Sequence, residues 1–166
     1  EAIQVMTSLV ETYGYASTGE SFSIADPNEV WILEMIGRGK GQTGALWVAT
    51  KLPDGTISAH ANQARIRQFP QSDPATTLFS KDLISFAREK GWYKGEDSKF
   101  SFVDTYAPLS FGALRACEAR VWSIFNRAAK SQKIPMDFVK AEKGARPMPL
   151  FVKPDQKLDV RDAMEL

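Results

Sequence analysis

The sequence predicts an α+β fold in which an antiparallel sheet packs with helices. Two observations support this prediction. Residues 1–13 and 111–130 repeat apolar side chains at helical spacing, whereas residues 21–66 contain extended apolar runs separated by short turn sequences. Since short turns join strands that lie antiparallel, we expect the strands to be neighbours in sequence order.

The first element is predicted to be an amphipathic helix over residues 1–13, with Gly14 as its C-cap. No capping residue and no initiator Met precede Ala2. A second helical pattern begins behind Asp155 and continues to residue 166. We therefore expect the chain to be an interior piece of a longer protein.

The middle of the chain predicts a meander of strands. Asp26 and Pro27 favour a tight turn because Pro presets φ and Asp bonds back to the backbone, and the sequence 53–55 predicts another turn. The second and third strands carry apolar residues on both faces, so the sheet needs cover on both sides, and we expect additional chain to supply part of it. The four predicted strands are residues 21–25, 30–36, 45–51 and 57–66.

The second half of the chain predicts mainly helices and loops. Ser80 can cap a helix that ends at Gly91. An aromatic-rich loop over residues 92–110 then leads into the longest helix, 111–130. The proline-rich stretch 134–154 predicts a connection along the surface.

Composition excludes several classes of function. The 21 basic and 20 acidic residues are interspersed and give a net charge of +1, so neither nucleic acid nor a membrane surface is an expected partner. No apolar run is long enough to span a bilayer. One Cys and one His provide neither an internal disulfide nor a zinc cluster, and we expect no cofactor. The sequence is compatible with two cellular locations, the cytoplasm and the cell envelope.

The glycine-rich segment 37–44 contains the spacing GxGxxG. A dinucleotide-binding loop joins a strand to a helix, but this segment joins two predicted strands. The partner motifs of a kinase glycine loop, HRD and DFG, are absent from the chain. We therefore interpret the segment as a hairpin loop.

Five polar side chains are candidates for a functional site. Cys117 lies on the apolar face of the long helix, where a thiol acts as a small hydrophobic group. Ser58 and His60 project in parallel from the predicted fourth strand, which favours a structural His. Glu118 is predicted to be buried and paired with Arg115, Arg120 or an amide, as a packing pair rather than a substrate clamp. Asn62 has two equal interpretations, an oxyanion donor or a buried amide that bonds to a loop.

Several runs of residues together resemble the bacterial cysteine dipeptidases of the N-terminal nucleophile (Ntn) hydrolase superfamily. The similarity extends over nearly the whole chain and is most specific between Gly19 and Trp122. The runs that carry it are GESFSIAD at 19–26, EVWILEM at 29–35, ISAHANQARI at 57–66, ISFA at 84–87 and RACEARVW at 115–122.

The resemblance implies a four-layer αββα sandwich and hydrolysis of short peptides by a cysteine at a processed N-terminus. The thiol forms an acyl-enzyme and the free α-amino group serves as the base. That cysteine is expected upstream of Glu1. Residues 1–133 then form an interior part of the catalytic domain, and residues 134–166 form a proline-rich connection followed by a truncated helix. The expected partners are a short peptide and the remainder of the same chain, and homo-oligomerisation is left open.

The resemblance also assigns two catalytic residues. Asn62 matches the asparagine that stabilises the tetrahedral intermediate, and Arg120 matches the arginine near the nucleophile, with Arg65 and Arg115 as rivals. An alternative remains: a non-peptidase amidase or a binding protein on the same scaffold.

Overall fold

The computed structural model describes residues 1–166 and divides them into two compact units. The sheet unit comprises residues 1–51 and 64–108, and the helical unit comprises residues 52–63 and 109–166. Helices and an antiparallel sheet are both present, which confirms the α+β class. The sheet unit contains α1 (Ala2–Tyr13), β1 (Gly19–Ala25), β2 (Val30–Gly37), β3 (Ala45–Lys51), β4 (Thr77–Phe79), α2 (Leu83–Glu89), a 3₁₀ turn (Asp97–Lys99) and α3 (Phe102–Tyr106).

The four strands form one antiparallel sheet in the order β1-β2-β3-β4. The predicted turn between β1 and β2 is confirmed. The Asp26 carboxylate accepts hydrogen bonds from the backbone N–H groups of Asn28 at 2.7 Å and Glu29 at 2.8 Å. These bonds satisfy the turn backbone and fix the register, in which Phe22 lies opposite Leu33.

One face of the sheet packs against α1. The predicted Gly14 cap is confirmed, with φ at 89°, and its N–H donates to the Val10 carbonyl at 2.8 Å. Burial of the shared apolar surface holds the helix on the sheet. The buried members of this cluster are Ile3, Trp31, Leu33, Met35, Ala45 and Ala49.

The opposite face of β2 and β3 is buried as well. Ile32, Leu46 and Val48 are at most 2% exposed. Glu34 lies on this face and is 1% exposed, and its carboxylate accepts the backbone N–H groups of Arg65 and Ile66 at 2.6 and 2.9 Å. The central strands are thus covered on both faces by segments of this chain, so their burial does not require the additional chain that the apolar pattern suggested.

The predicted fourth strand at residues 57–66 is wrong. The turn at 53–55 forms, but Ile57 makes only an isolated bridge to Val152, and β4 occupies the sheet position next to β3. Residues 58–64 are mostly small or polar and favour strands weakly, whereas Thr, Leu and Phe of β4 favour a pleated surface. The Glu34 carboxylate also takes the two N–H groups at residues 65 and 66 that a ladder would need.

Two further predictions for the sheet unit need correction. Helix α2 begins behind Asp82, and the Ser80 hydroxyl does not cap it but accepts the Trp47 N–H at 3.3 Å. The segment 92–110 is not purely a loop, since it contains the 3₁₀ turn and α3. Its aromatic residues explain this order, because the Phe100 ring packs edge-on against Tyr93 and Tyr106 at 5.1 and 5.9 Å between centroids.

The long helix of the helical unit is confirmed. It runs without interruption through α4 (Phe111–Ala113), a π-helical segment (Leu114–Glu118) and α5 (Ala119–Ala128). A 3₁₀ turn follows at Lys130–Gln132, and α6 spans Val160–Glu165. The N-cap of α6 is Asp159, in a capping box with Asp162. The buried core comprises Ala59, Val121, Phe125, Ala129, Ile134, Val139, Met148 and Val152. No helix in either unit has the length and apolar character of a membrane span.

Candidate active site

Asn62 and Arg120 meet in the helical unit. The Arg120 Nη2 donates to the Asn62 Oδ1 at 2.8 Å. Asn62 lies in a bend between the turn at residues 53–55 and the sheet unit's segment 64–66, and Arg120 is the second residue of α5. Both side chains are exposed. Two residues that are 58 positions apart in sequence therefore form one solvent-accessible polar pair.

The π-helical segment determines where the Arg120 guanidinium lies. The Arg120 Nε donates to the Ala116 carbonyl at 2.8 Å, and Nη2 lies 3.8 Å from the Cys117 Sγ. A π turn bonds residue i to residue i+5 and interrupts the regular helical ladder, so a carbonyl such as that of Ala116 can accept a side chain. The arginine side chain is thus folded back along the helix and fixed at both its Nε and its Nη2.

This arrangement orients the Asn62 amide. Oδ1 is used as the acceptor for Arg120, and the two N–H donors of Nδ2 lie at the other edge of the planar amide. Because Asn62 is exposed, these donors can reach a ligand. An amide that is held through its oxygen and free at its nitrogen has the chemistry of an oxyanion-hole donor.

The rival arginines make other contacts. The Arg115 Cζ lies 5.3 Å from the ring centroid of Phe111, and both residues are exposed. Arg65 belongs to the sheet unit, is 7% exposed and donates its backbone N–H to Glu34. Of the two candidate arginines in the helical unit, Arg120 is the one that bonds to Asn62.

The other polar candidates are built into the packing. Cys117 and Glu118 are buried, at 8% and 3% exposure. The guanidinium of Arg115 lies on the Phe111 ring, and that of Arg120 bonds to Asn62 and Ala116, so the pairing of the buried Glu118 with an arginine or an amide stays a prediction.

The serine and histidine of the segment 57–66 do not form a reactive pair by strand alternation, because the segment is not a strand. The Ser58 hydroxyl donates to the Leu150 carbonyl at 2.7 Å. His60 is half-buried. No group of three or more His, Cys, Asp or Glu side chains converges as a metal site would.

The glycine-rich segment is a hairpin loop between β2 and β3, as predicted. Arg38 in this loop donates to both carboxylate oxygens of Asp82, at 2.5 and 3.0 Å. The hydrogen bonds from Arg38 lower the pKa of Asp82 and raise that of Arg38. Gly44 has φ at 88°, and a Cβ there would lie 2.5 Å from the Glu11 carboxylate, so the loop needs glycine at this position. The sequence pattern indicated the loop but did not indicate this ion pair.

Known proteins resemble this chain over much of its length. The model of peptidase family C69 matches residues 1–166. A probable dipeptidase of Salmonella dublin is 29% identical over 126 residues, which cover 75% of this chain and 27% of that protein. A probable dipeptidase of Latilactobacillus sakei is 26% identical over 162 residues, or 98% of this chain and 31% of that protein.

A third relative, a dipeptidase of Bifidobacterium longum, is 33% identical over 91 residues, which cover 52% of this chain and 16% of that protein. The chain thus spans less than a third of the length of the curated relatives it matches. Because the family model matches every residue from the first to the last, the chain belongs to peptidase family C69.

Proposed function

We propose that this chain is part of a dipeptidase with an Ntn-hydrolase αββα sandwich, whose nucleophile is an N-terminal cysteine outside residues 1–166. The names of the C69 relatives support the activity. In this arrangement residues 1–133 belong to the interior of the catalytic domain, and residues 134–166 form a proline-rich connection and the start of a truncated helix.

The proposed reaction is amide hydrolysis in two steps. The thiol sulfur attacks the scissile carbonyl carbon while its proton passes to the free α-amino group, and the carbonyl oxygen becomes an oxyanion. Collapse of this intermediate breaks the C–N bond, and the proton is returned to the leaving amine. Water then hydrolyses the thioester and restores the thiol.

Within this reaction, Asn62 donates a hydrogen bond from Nδ2 to the oxyanion and Arg120 positions Asn62. The observation that carries the assignment is the 2.8 Å bond between Arg120 Nη2 and Asn62 Oδ1, which leaves the amide N–H groups as the free side of Asn62. A fixed donor costs little reorganisation when negative charge develops on the carbonyl oxygen, and it stabilises the transition state more than the substrate.

Substitution of Asn62 in the full-length protein tests this proposal. Asn62→Ala should lower kcat for a dipeptide about 100-fold, because one oxyanion donor is lost. Asn62→Asp keeps the size and the acceptor for Arg120 but removes the N–H donors, and should lower kcat by a similar factor. Asn28→Ala, in the exposed turn between β1 and β2, is the matched control and should leave kcat unchanged.

Steady-state kinetics measure kcat for each variant, and the circular dichroism spectrum shows whether the variant is folded. Near-normal kcat in Asn62→Ala, with an unchanged spectrum, would remove Asn62 from the site. A wild-type protein that hydrolyses no peptide but does hydrolyse another amide, or only binds one, would support a different amidase or a binding protein on the same scaffold.

A further inference from the structure

Arg115 is an exposed cation without an acidic partner. Its guanidinium carbon lies 5.3 Å from the centroid of the Phe111 ring, and no carboxylate forms an ion pair with it. Phe111 is itself 65% exposed, so the ring is not part of a core. A guanidinium resting on an aromatic face keeps its N–H edge free, and that edge matches a carboxylate in a bidentate geometry. The pair is therefore suited to bind a carboxylate from outside the chain.

The position of Arg115 relative to Asn62 follows from the π-helical segment. The Arg120 guanidinium that holds Asn62 is bonded to the Ala116 carbonyl, in the residue directly after Arg115. Arg115 and Ala116 both lie in the π-helical segment Leu114–Glu118. Arg115 is thus the chain neighbour of the residue that holds Arg120, and Arg120 in turn holds the Asn62 amide.

The covalent structure of a dipeptide provides the reason for a cation at this place. In a dipeptide, the carbonyl that is attacked and the terminal carboxylate are one residue apart, or roughly 3.5 Å along an extended chain. Arg115 adjoins the residue whose carbonyl holds Arg120, and its long, flexible side chain can span a distance of this size. A longer peptide has an uncharged amide in place of that carboxylate.

We propose that Arg115, supported by the Phe111 ring, binds the free C-terminal carboxylate of the substrate and so selects peptides that end one residue after the scissile bond. This inference rests on the proposed peptidase function and adds to it the group that sets substrate length. Arg115 contributes binding and not chemistry, since it contacts the substrate away from the reacting carbonyl.

The test compares a dipeptide with its C-terminal amide in the full-length protein. The wild type should hydrolyse alanyl-alanine with a higher kcat/KM than alanyl-alanine amide. Arg115→Met, which keeps an unbranched stem on the ring, should lower kcat/KM for the acid about 10- to 100-fold, mainly through KM, and leave the amide almost unchanged. Arg115→Lys keeps the charge without the planar fork and should retain part of the preference for the acid.

The matched control is Arg146→Met, which removes an exposed arginine of the same unit that makes no ion pair, and it should change neither substrate. Phe111→Leu removes the ring under the guanidinium and should raise KM for the acid by less than Arg115→Met does. Hydrolysis of both substrates by Arg115→Met with the wild-type ratio of kcat/KM would overturn the inference and leave the peptidase function standing. A wild type that hydrolyses neither substrate would overturn both.

Discussion

At the scale of single residues, the candidate site depends on which polar groups are already occupied. Asn62 is bonded through its oxygen, and Cys117 is buried on the helix. Glu118 is buried as well, so neither it nor the thiol is presented to solvent as a reacting group. Exposure and remaining hydrogen-bonding capacity therefore favour Asn62 as the group that meets a substrate.

The ion pair between Arg38 and Asp82 should make the free energy of unfolding depend on pH. The lowered pKa of Asp82 means that the pair stabilises the fold above about pH 4 and that this contribution is lost as pH falls through the folded-state pKa. The Asp82 side chain is 43% exposed, so solvent screening reduces the contribution. Asp82→Asn should lower the free energy of unfolding at pH 7 by about 1 kcal/mol.

Urea unfolding of the full-length protein at a series of pH values measures this effect. The difference between wild type and Asp82→Asn should narrow as the pH falls below 4. Glu96→Gln, which removes an exposed carboxylate paired with Lys99, is the control and should change stability little. A difference that stays constant down to pH 2 would contradict the assignment of the effect to the Asp82 carboxylate.

At the scale of elements, turn chemistry and periodicity predicted the helices, strands and turns that local interactions determine. The helices at residues 1–13 and 111–130, the three long strands and the glycine-rich hairpin follow from these signals. The identity of the fourth strand did not, because three residues of β4 carry too short a pattern and the choice between β4 and residues 57–66 depends on pairing with β3. The π-helical segment, which positions Arg120, has no periodicity signal of its own.

The candidate site was predicted only in part, because contacts between residues that are distant in sequence leave no local signal. Resemblance indicated Asn62 and Arg120, but their hydrogen bond joins residues 58 positions apart and depends on tertiary structure. The role of Glu34 was also hidden, although a single carboxylate in an otherwise apolar strand was visible in the sequence. Its bonds to residues 65 and 66 are to backbone N–H groups, which every residue except proline has and which no sequence pattern identifies.

Glu34 connects strand β2 with the segment that follows Asn62 in the chain. Its two carboxylate oxygens each accept one backbone N–H, from Arg65 and Ile66, at a site that is 1% exposed. Glu34→Gln replaces one oxygen by an NH₂ group that faces an N–H donor, so one buried donor loses its partner. We expect the free energy of unfolding to fall by about 2 kcal/mol.

Glu20→Gln is the matched control, because Glu20 is exposed on the neighbouring strand β1. Urea unfolding of both full-length variants at pH 7 makes the comparison. Equal stabilities of the Glu34 and Glu20 variants would show that the buried carboxylate is not needed to hold residues 65 and 66.

At the scale of the whole molecule, the chain has an α+β fold and an exposed Asn62–Arg120 pair but presents no thiol to solvent. Its one cysteine, Cys117, is buried, and its one histidine, His60, lies outside any strand. The chain also spans less than a third of the length of its curated relatives. The proposed activity therefore requires a nucleophile from outside residues 1–166.

Activity and alkylation measurements distinguish the Cys117 thiol from the proposed N-terminal nucleophile. Residues 1–166 alone should hydrolyse no dipeptide, whereas the full-length protein should do so and lose its activity on alkylation with iodoacetamide. Cys117→Ala in the full-length protein should keep near-normal kcat and the same sensitivity to iodoacetamide, because the reactive thiolate is a different one. Loss of that sensitivity in Cys117→Ala, or thiol-dependent hydrolysis by residues 1–166 alone, would make Cys117 the nucleophile and exclude an N-terminal cysteine.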